Sequence, residues 1–361
     1  LDRVQGLFLK EQFRGFSQWV NLIPFAEEQG MAPLFYFHCR KAGLDLPESP
    51  RRQLQALILR HRRANQIRTG LLTKIITACE KAGVQLILLK GAALFHLVYP
   101  EPGLRPMRDL DLLIHPSQAP VMETLLGDLD FTVLPAELKK PRSSKHLPAF
   151  TTSVSGYEMT LEVHLSLFEE EWDPRQPLVD DLMARARPFQ FEGLTAHTLA
   201  LEDMFRHIYR HMAVEQARLI ALADLINVSE QFEDEMDWER LIQILPSLQG
   251  ILSLFHCLSP LSEKLVKRFS IKPGKAPKDI GQEFKGWPRI YFRQWKDLGL
   301  WGFLKETLFP SDWWLHLYYG LAPGRSLFTA RWVKHPLFLL KFVLRRLYGR
   351  LASRRSLPLI H

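Results

Sequence analysis

The sequence predicts an α+β protein in which a small sheet-bearing unit, residues 84–195, lies between N- and C-terminal helical regions. Two observations carry that reading. Apolar residues recur at three- and four-residue spacing along 1–82 and 198–270, but alternate residue by residue in short runs between them. Within the middle stretch, two aspartates one residue apart, Asp109 and Asp111, interrupt the apolar run "RDLDLLI". The chain of 361 residues is long enough for two or three such regions.

Taken in order, "SPRRQLQALILRHRRANQIRTGLLTKIITACEKAG" reads as a helix whose stripe includes Leu54, Ala64, Ile67, Leu71, Ile75 and Cys79, closed by Gly83. The period then changes. "VQLILLKG" is a short strand, "AALFHLVY" a helix, "RDLDLLIHP" a strand, and "SQAPVMETLLGDLD" a helix with Ser117 as N-cap. "FTVLP" is a third strand, and after a basic loop "AFTTSV", "SG" and "YEMTLEVHLSLF" read as a hairpin. Residues 271–296, rich in Pro, Gly and Lys, read as a connection to aromatic-rich segments and a basic tail. The expected divisions are 1–83, 84–195, 196–330 and 331–361.

Alternation places Leu110, Leu112 and Ile114 on one face of their strand and Asp109 and Asp111 on the other. In the later strand Glu162 and His164 share a face, opposite Leu161 and Val163. If the two strands are neighbours, Asp109, Asp111 and Glu162 converge. Three converging carboxylates repel one another unless cations lie between them. Two Mg²⁺ ions, with Mn²⁺ as a substitute, are the usual solution, and they serve in-line phosphoryl displacement. The turn at Gly91 supplies free backbone N–H groups at a helix N-terminus for phosphate oxygens. Arg105 and Arg108, just upstream of the aspartates, suit a triphosphate.

Charge and cysteines narrow the class. The net charge is 47 − 39 = +8, and residues 331–361 hold eight basic and no acidic residues, so the first 330 balance at 39 − 39 = 0. A neutral body argues against a nucleic-acid partner. Three scattered cysteines suit a reducing, cytoplasmic compartment, and the opening residues do not read as a signal peptide. In the tail, Leu337, Leu340, Leu344, Leu347 and Leu351 line one helix face and Lys341, Arg345, Arg346 and Arg350 another, the helix beginning after Pro336. The expectation is that the leucines dock on the body and leave the basic face to an anionic partner. The other reading is peripheral contact with the inner face of a membrane. His207 and His211, one turn apart, lack the glutamate of a zincin and read as helix-surface or interface histidines.

The segment "LLKGAALFHLVYPEPGLRPMRDLDLLI", followed by "LEVHLSL", resembles the nucleotidyltransferase superfamily with the polymerase-beta-like palm. More narrowly, it resembles the uncharacterised bacterial nucleotidyltransferase family, with its Lys-Gly-x-x-Leu, Tyr-Pro and Leu-Arg-Pro-x-x-Asp-x-Asp core. "QWVNLIPFAEEQGMAPLFYF" and "FRHIYRHMAVEQARLIALADL" look like that family's flanking helices. The resemblance implies a small mixed-sheet palm in 84–195, a helical acceptor-side region in 196–330, and Mg²⁺-dependent transfer of a nucleoside monophosphate from a nucleoside triphosphate. The acceptor is an unnamed small molecule, peptide or protein. It further implies metal ligation by Asp109, Asp111 and Glu162, and nucleotide contacts from Lys90, Gly91, Ala92, Arg105 and Arg108. His164, His211 and Asp224 fall at acceptor-side positions. Two features depart from the superfamily: Ala92 and Ala93 follow Gly91 where a Gly or Ser is usual, and the Tyr99–Pro106 insert lengthens the path to Asp109. The missing hydroxyl supports an alternative, a catalytically inactive nucleotide- or partner-binding module that keeps the palm.

Overall fold

A computed structural model of the chain describes residues 9–137, 145–168, 176–214, 218–282, 284–289 and 298–355, with side chains to Arg346. They group into two compact units: residues up to 168, 176–208 and 218–232 in the first, and 209–214 with 233–355 in the second.

The first unit opens with helices α1 (Trp19–Glu28), α2 (Ala32–Ala42) and α3 (Glu48–Lys81). At 34 residues α3 is about 51 Å long, so it serves two cores. Its first half places Leu54 against Ile23, Ala26, Tyr36 and Cys39. Its second half delivers Ile67, Leu71, Ile75 and Cys79 to the sheet. Gly83, at φ +68°, adopts the left-handed conformation that ends a helix without a Cβ clash.

The sheet follows: β1 (Leu86–Leu88), α4 (Lys90–Leu97), β2 (Asp109–Ile114), α5 (Ala119–Asp128), β3 (Thr132–Val133), β4 (Phe150–Val154), β5 (Tyr157–His164), α6 (Val179–Ala184), β6 (Arg187–Phe191) and β7 (Leu194–Thr198). The strand order is β3-β4-β5-β2-β1-β7-β6. β2 with β5 and β1 with β7 are parallel, and the other neighbours antiparallel, so the sheet is mixed. One face packs Leu110, Leu112, Leu161 and Val163 against α3 and against Met122 and Leu126 of α5. Two details differ from the sequence reading. Ser117 lies in a 3₁₀ turn 2.6 Å from His115 Nδ1, and α5 starts two residues later, at Ala119. The hairpin β6–β7 was not foreseen, and its last strand runs past 195. It turns at Glu192 and Gly193, both at positive φ.

Helix α7 (Leu201–Val214) belongs to the first unit through Ile208 and to the second from Tyr209, and α8 (Leu219–Gln231) belongs to the first. The second unit continues with α9 (Trp238–Ile244), α10 (Leu248–His256), α11 (Glu263–Arg268), α12 (Gly299–Leu308), α13 (Asp312–Tyr319), a π-turn (Ala330–Lys334) and α14 (His335–Arg355). An aromatic core joins Phe284, Trp287, Phe303, Trp314, Phe338 and Phe342. Phe284 and Trp287 come from the stretch read as a connection, which therefore helps to build the core.

The C-terminal helix docks, but by a different face from the one expected. His335, Phe338 and Phe342 are buried, whereas Leu340 and Leu344 are exposed; the side chains of Leu347 and Leu351 lie outside the described residues. Aromatic partners explain the choice: Phe338 meets the rings of Trp314, Tyr318 and Phe342, and Phe342 also meets Trp287. His335 Nε2 lies 2.6 Å from the Thr307 carbonyl oxygen. Phe342→Ala should therefore destabilise the protein by about 3–5 kcal/mol. Leu340→Ala should stay within about 0.5 kcal/mol. Urea unfolding of the two variants checks the contrast, and equal losses would contradict this docking.

Candidate active site

Parallel pairing aligns Asp111 with Glu162, Asp109 with Thr160 and Leu113 with His164. Aligned residues of neighbouring strands share a face, so Asp111, Glu162 and His164 project together from the side opposite the apolar cluster. Lys90, the first residue of α4, enters from β1. Its Nζ lies 3.0 Å from Asp111 Oδ1, and His164 Nε2 is 2.9 Å from the same oxygen. The Glu162 carboxylate is 3.8 Å from His164 Nε2. Among the described residues, Asp111, Glu162 and His164 each offer a ligand atom within 4.8 Å of the others.

The electrostatics follow from burial. Desolvation, then repulsion by Asp111 and Asp109, pushes the Glu162 carboxyl above its ordinary range, against the pull of Lys90 and His146. Burial lowers His164 below the ordinary histidine value despite its bond to Asp111, so the ring is neutral. Its Nδ1 is buried without a hydrogen-bond partner. The hydrogen therefore belongs on Nε2, donating to Asp111, with the tautomer assigned from this network. In this state His164 holds the carboxylate in place.

Asp109 shares the face and contributes to the Glu162 repulsion, but it stands outside the 4.8 Å set. Arg68 of α3, which sequence reading missed, lies near enough to feel the charge of Asp109. Burial lowers this guanidinium while Asp109 raises it. Arg68 donates to Asn65 Oδ1 at 3.3 Å and to the Arg108 carbonyl at 3.3 Å. The available signal was a basic residue beside Ile67 in the buried stripe of a helix.

Other expected site residues lie elsewhere. Arg105 is buried and donates through Nε and Nη2 to the two oxygens of Asp224, at 3.1 and 2.7 Å, while Tyr99 donates to Asp224 at 2.6 Å. Burial opposes the Arg105 charge, and Asp224 more than offsets it. Arg105 thus braces the insert against α8 and does not stand ready for a triphosphate; Asp224 is its counter-ion. The same arginine explains Gly91: a Cβ there would lie 2.2 Å from Arg105 Nη1. The left-handed backbone of this turn sits one residue earlier, at Lys90, with φ 42°. Ala92 is buried, Arg108 is exposed and His211 is half-buried. His207 is fully buried, 5.3 Å between ring centroids from Phe168, so it is no surface histidine.

The chain belongs to the uncharacterised nucleotidyltransferase family, which it matches over residues 17–259. A search of the curated proteins gives no match. Among solved structures, the solution structure of the antibiotic-resistance factor ANT(2'')-Ia is similar at 14% identity and TM-score 0.36, covering 53% of this chain and 98% of that one. The crystal structure of ANT(2'')-Ia in complex with adenylyl-2''-tobramycin gives 14%, 0.35, 50% and 98% in the same order. An antigenic nucleotidyltransferase-like protein from Paracoccidioides brasiliensis gives 16%, 0.33, 56% and 92%.

Two outcomes test the site's physics. Asp224→Asn leaves the Arg105 charge buried with a weakened partner and should cost about 3–5 kcal/mol in chemical denaturation. The second concerns pH. A carboxyl raised by folding stabilises the fold below its unfolded value, near 4.5, and that contribution is lost as pH rises through the folded value. In chelator, Glu162→Gln should therefore melt above the parent at pH 8, and the two should converge below about pH 4. Parallel melting curves across that range would contradict the raised Glu162 carboxyl.

Proposed function

We propose that this chain is a nucleotidyltransferase that moves a nucleoside monophosphate from a nucleoside triphosphate to an acceptor hydroxyl or phosphate on a small molecule, peptide or protein, releasing pyrophosphate. The observation that carries the reading is the in-register pair Asp111–Glu162, with Asp109 on the same face, all turned away from the apolar core. The residues suit a hard cation: carboxylate oxygens dominate, and a cation would stabilise the charged form of Glu162, which burial and then the two aspartates disfavour. Asp109, Asp111 and Glu162 would hold two divalent cations, Mg²⁺ or Mn²⁺. When bound, such ions neutralise developing charge on the transferring phosphoryl group and lower the pKa of the acceptor.

The chain's own side chains supply the rest. His164 fixes the orientation of Asp111. Lys90, which now shares an Asp111 oxygen with His164, can turn its ammonium to phosphate oxygens once cations occupy the carboxylates. Backbone N–H groups at the start of α4 complete the anion site without a hydroxyl. A carboxylate of the cluster takes the acceptor's proton. All three cysteines are free, which suits a reducing compartment such as the cytoplasm. A second reading, a nucleotide-binding module without turnover, is favoured by the hydroxyl-free turn, where Ala92 and Ala93 are both buried.

The test pairs binding with turnover. Mg²⁺ with a nucleoside triphosphate should raise the melting temperature of the parent but not of Asp109→Asn/Asp111→Asn. Incubated with cell extract and labelled nucleotide, the parent should release pyrophosphate and label an acceptor seen by mass spectrometry. The single variant Asp111→Asn should lower that rate about 10³-fold, the equivalent of about 4 kcal/mol of lost charge stabilisation. Metal-dependent binding without turnover selects the second reading. Equal binding by the double variant and the parent defeats both.

A further inference from the structure

Helix α14 has two apolar stripes, and the fold uses only one. At 100° per residue, Leu337, Leu340 and Leu344 fall within about 60° of one another, roughly 150° around the helix from the docked Phe338 and Phe342. These leucines are 58%, 51% and 56% exposed, and Trp332 and Val333 just upstream are exposed as well. The ring of Trp332 meets the exposed Phe309, next to the exposed Leu308, and the exposed Trp301, seven residues before Leu308, shares its α12 face. Lys341 and Arg345 lie on the helix between the leucine stripe and the docked face. From residue 313 to 361 there are no acidic residues and nine basic ones: Arg325, Arg331, Lys334, Lys341, Arg345, Arg346, Arg350, Arg354 and Arg355.

We infer that this face is the docking surface for an anionic lipid bilayer, on which the second unit lies with the leucine stripe and exposed aromatics among the acyl chains and the basic residues at the headgroups. Charge decides between occupants. A second copy of the chain would oppose Lys341 and Arg345 to their own kind across a two-fold axis, in a stretch, 313–361, that holds no acidic residue of its own. An anionic membrane accepts both features at once, because it buries the apolar side chains and neutralises the flanking cations. Tryptophan and phenylalanine at the edge suit the interfacial layer. Among the described residues no helix is long and apolar enough to cross a membrane, so the contact is peripheral. The inward aromatic stripe holds the helix on its unit, which leaves the leucine stripe presented in advance.

The full chain is tested by co-sedimentation with vesicles of phosphatidylcholine alone and of an equimolar phosphatidylcholine–phosphatidylglycerol mixture. Binding is expected to the mixture only, with a blue shift of tryptophan emission. It should weaken as salt rises from about 0.1 M to 1 M and the Debye length shrinks from about 10 to 3 Å. Leu337→Ser/Leu340→Ser/Leu344→Ser and Lys341→Glu should each reduce binding at least about tenfold while keeping the parent's melting temperature, since these side chains are exposed. Binding by either variant equal to the parent's overturns the assignment. So does an absence of binding to the mixture, or a self-association of the parent that the serine variant abolishes.

Discussion

Five residue pairs, from Asp109–Thr160 to Leu113–His164, hold β2 beside β5 in parallel, and a slip of one residue would turn Leu161 toward Asp111 and Glu162 into the apolar layer. The core prevents that slip. Leu110, Leu112, Leu161 and Val163 are fully buried under α3 and α5, so any other register exposes them and buries charge. The apolar face thus fixes the polar one. A cluster of like charges that would otherwise spread apart is held together by packing on the far side of the same two strands.

The Tyr99–Pro106 insert obeys a second constraint, set by polar groups. Asn65 of α3, fully buried, donates to the carbonyls of Pro102 and Arg105, and Arg62 pairs with Glu101 at 2.7 Å. Arg105 then closes on Asp224, which also accepts from Tyr99. A buried arginine without its carboxylate would be among the most costly groups in the protein, so insert, α3 and α8 stand or fall together. Gly91 belongs to this network, because the guanidinium occupies the space that a side chain there would need.

Period and punctuation made the sheet legible, and chemistry at a distance made the site only half so. Alternation in "RDLDLLI" and "YEMTLEVH" identifies β2, β5 and the face shared by Asp109, Asp111, Glu162 and His164, since side-chain direction in a strand depends only on parity. Nothing local tells Arg105 from Arg108. Both precede the aspartates, yet one meets a carboxylate 119 residues away and the other is exposed. Arg68 was hidden for the same reason, as its proximity to Asp109 arises from packing of a helix on the sheet. In α14 the leucine period was real, but the competing Phe338–Phe342 period has aromatic partners and wins the core.

Lys90 bears on whether the carboxylate cluster is more than a solvated strand face. A non-glycine residue at φ 42° costs on the order of 1 kcal/mol, and such strain persists only where the surroundings impose it. Here it sets the ammonium against Asp111, on an oxygen that His164 already holds. A carboxylate needing only a structural partner would be satisfied by the histidine, which is neutral and buried. Lys90 thus adds a cation to a carboxylate already held, beside Glu162, whose charge is penalised by burial and then by the two aspartates. In the function proposed above, a ligand carrying both signs, divalent cations with a polyphosphate, would relieve that penalty and give Lys90 an anion to meet.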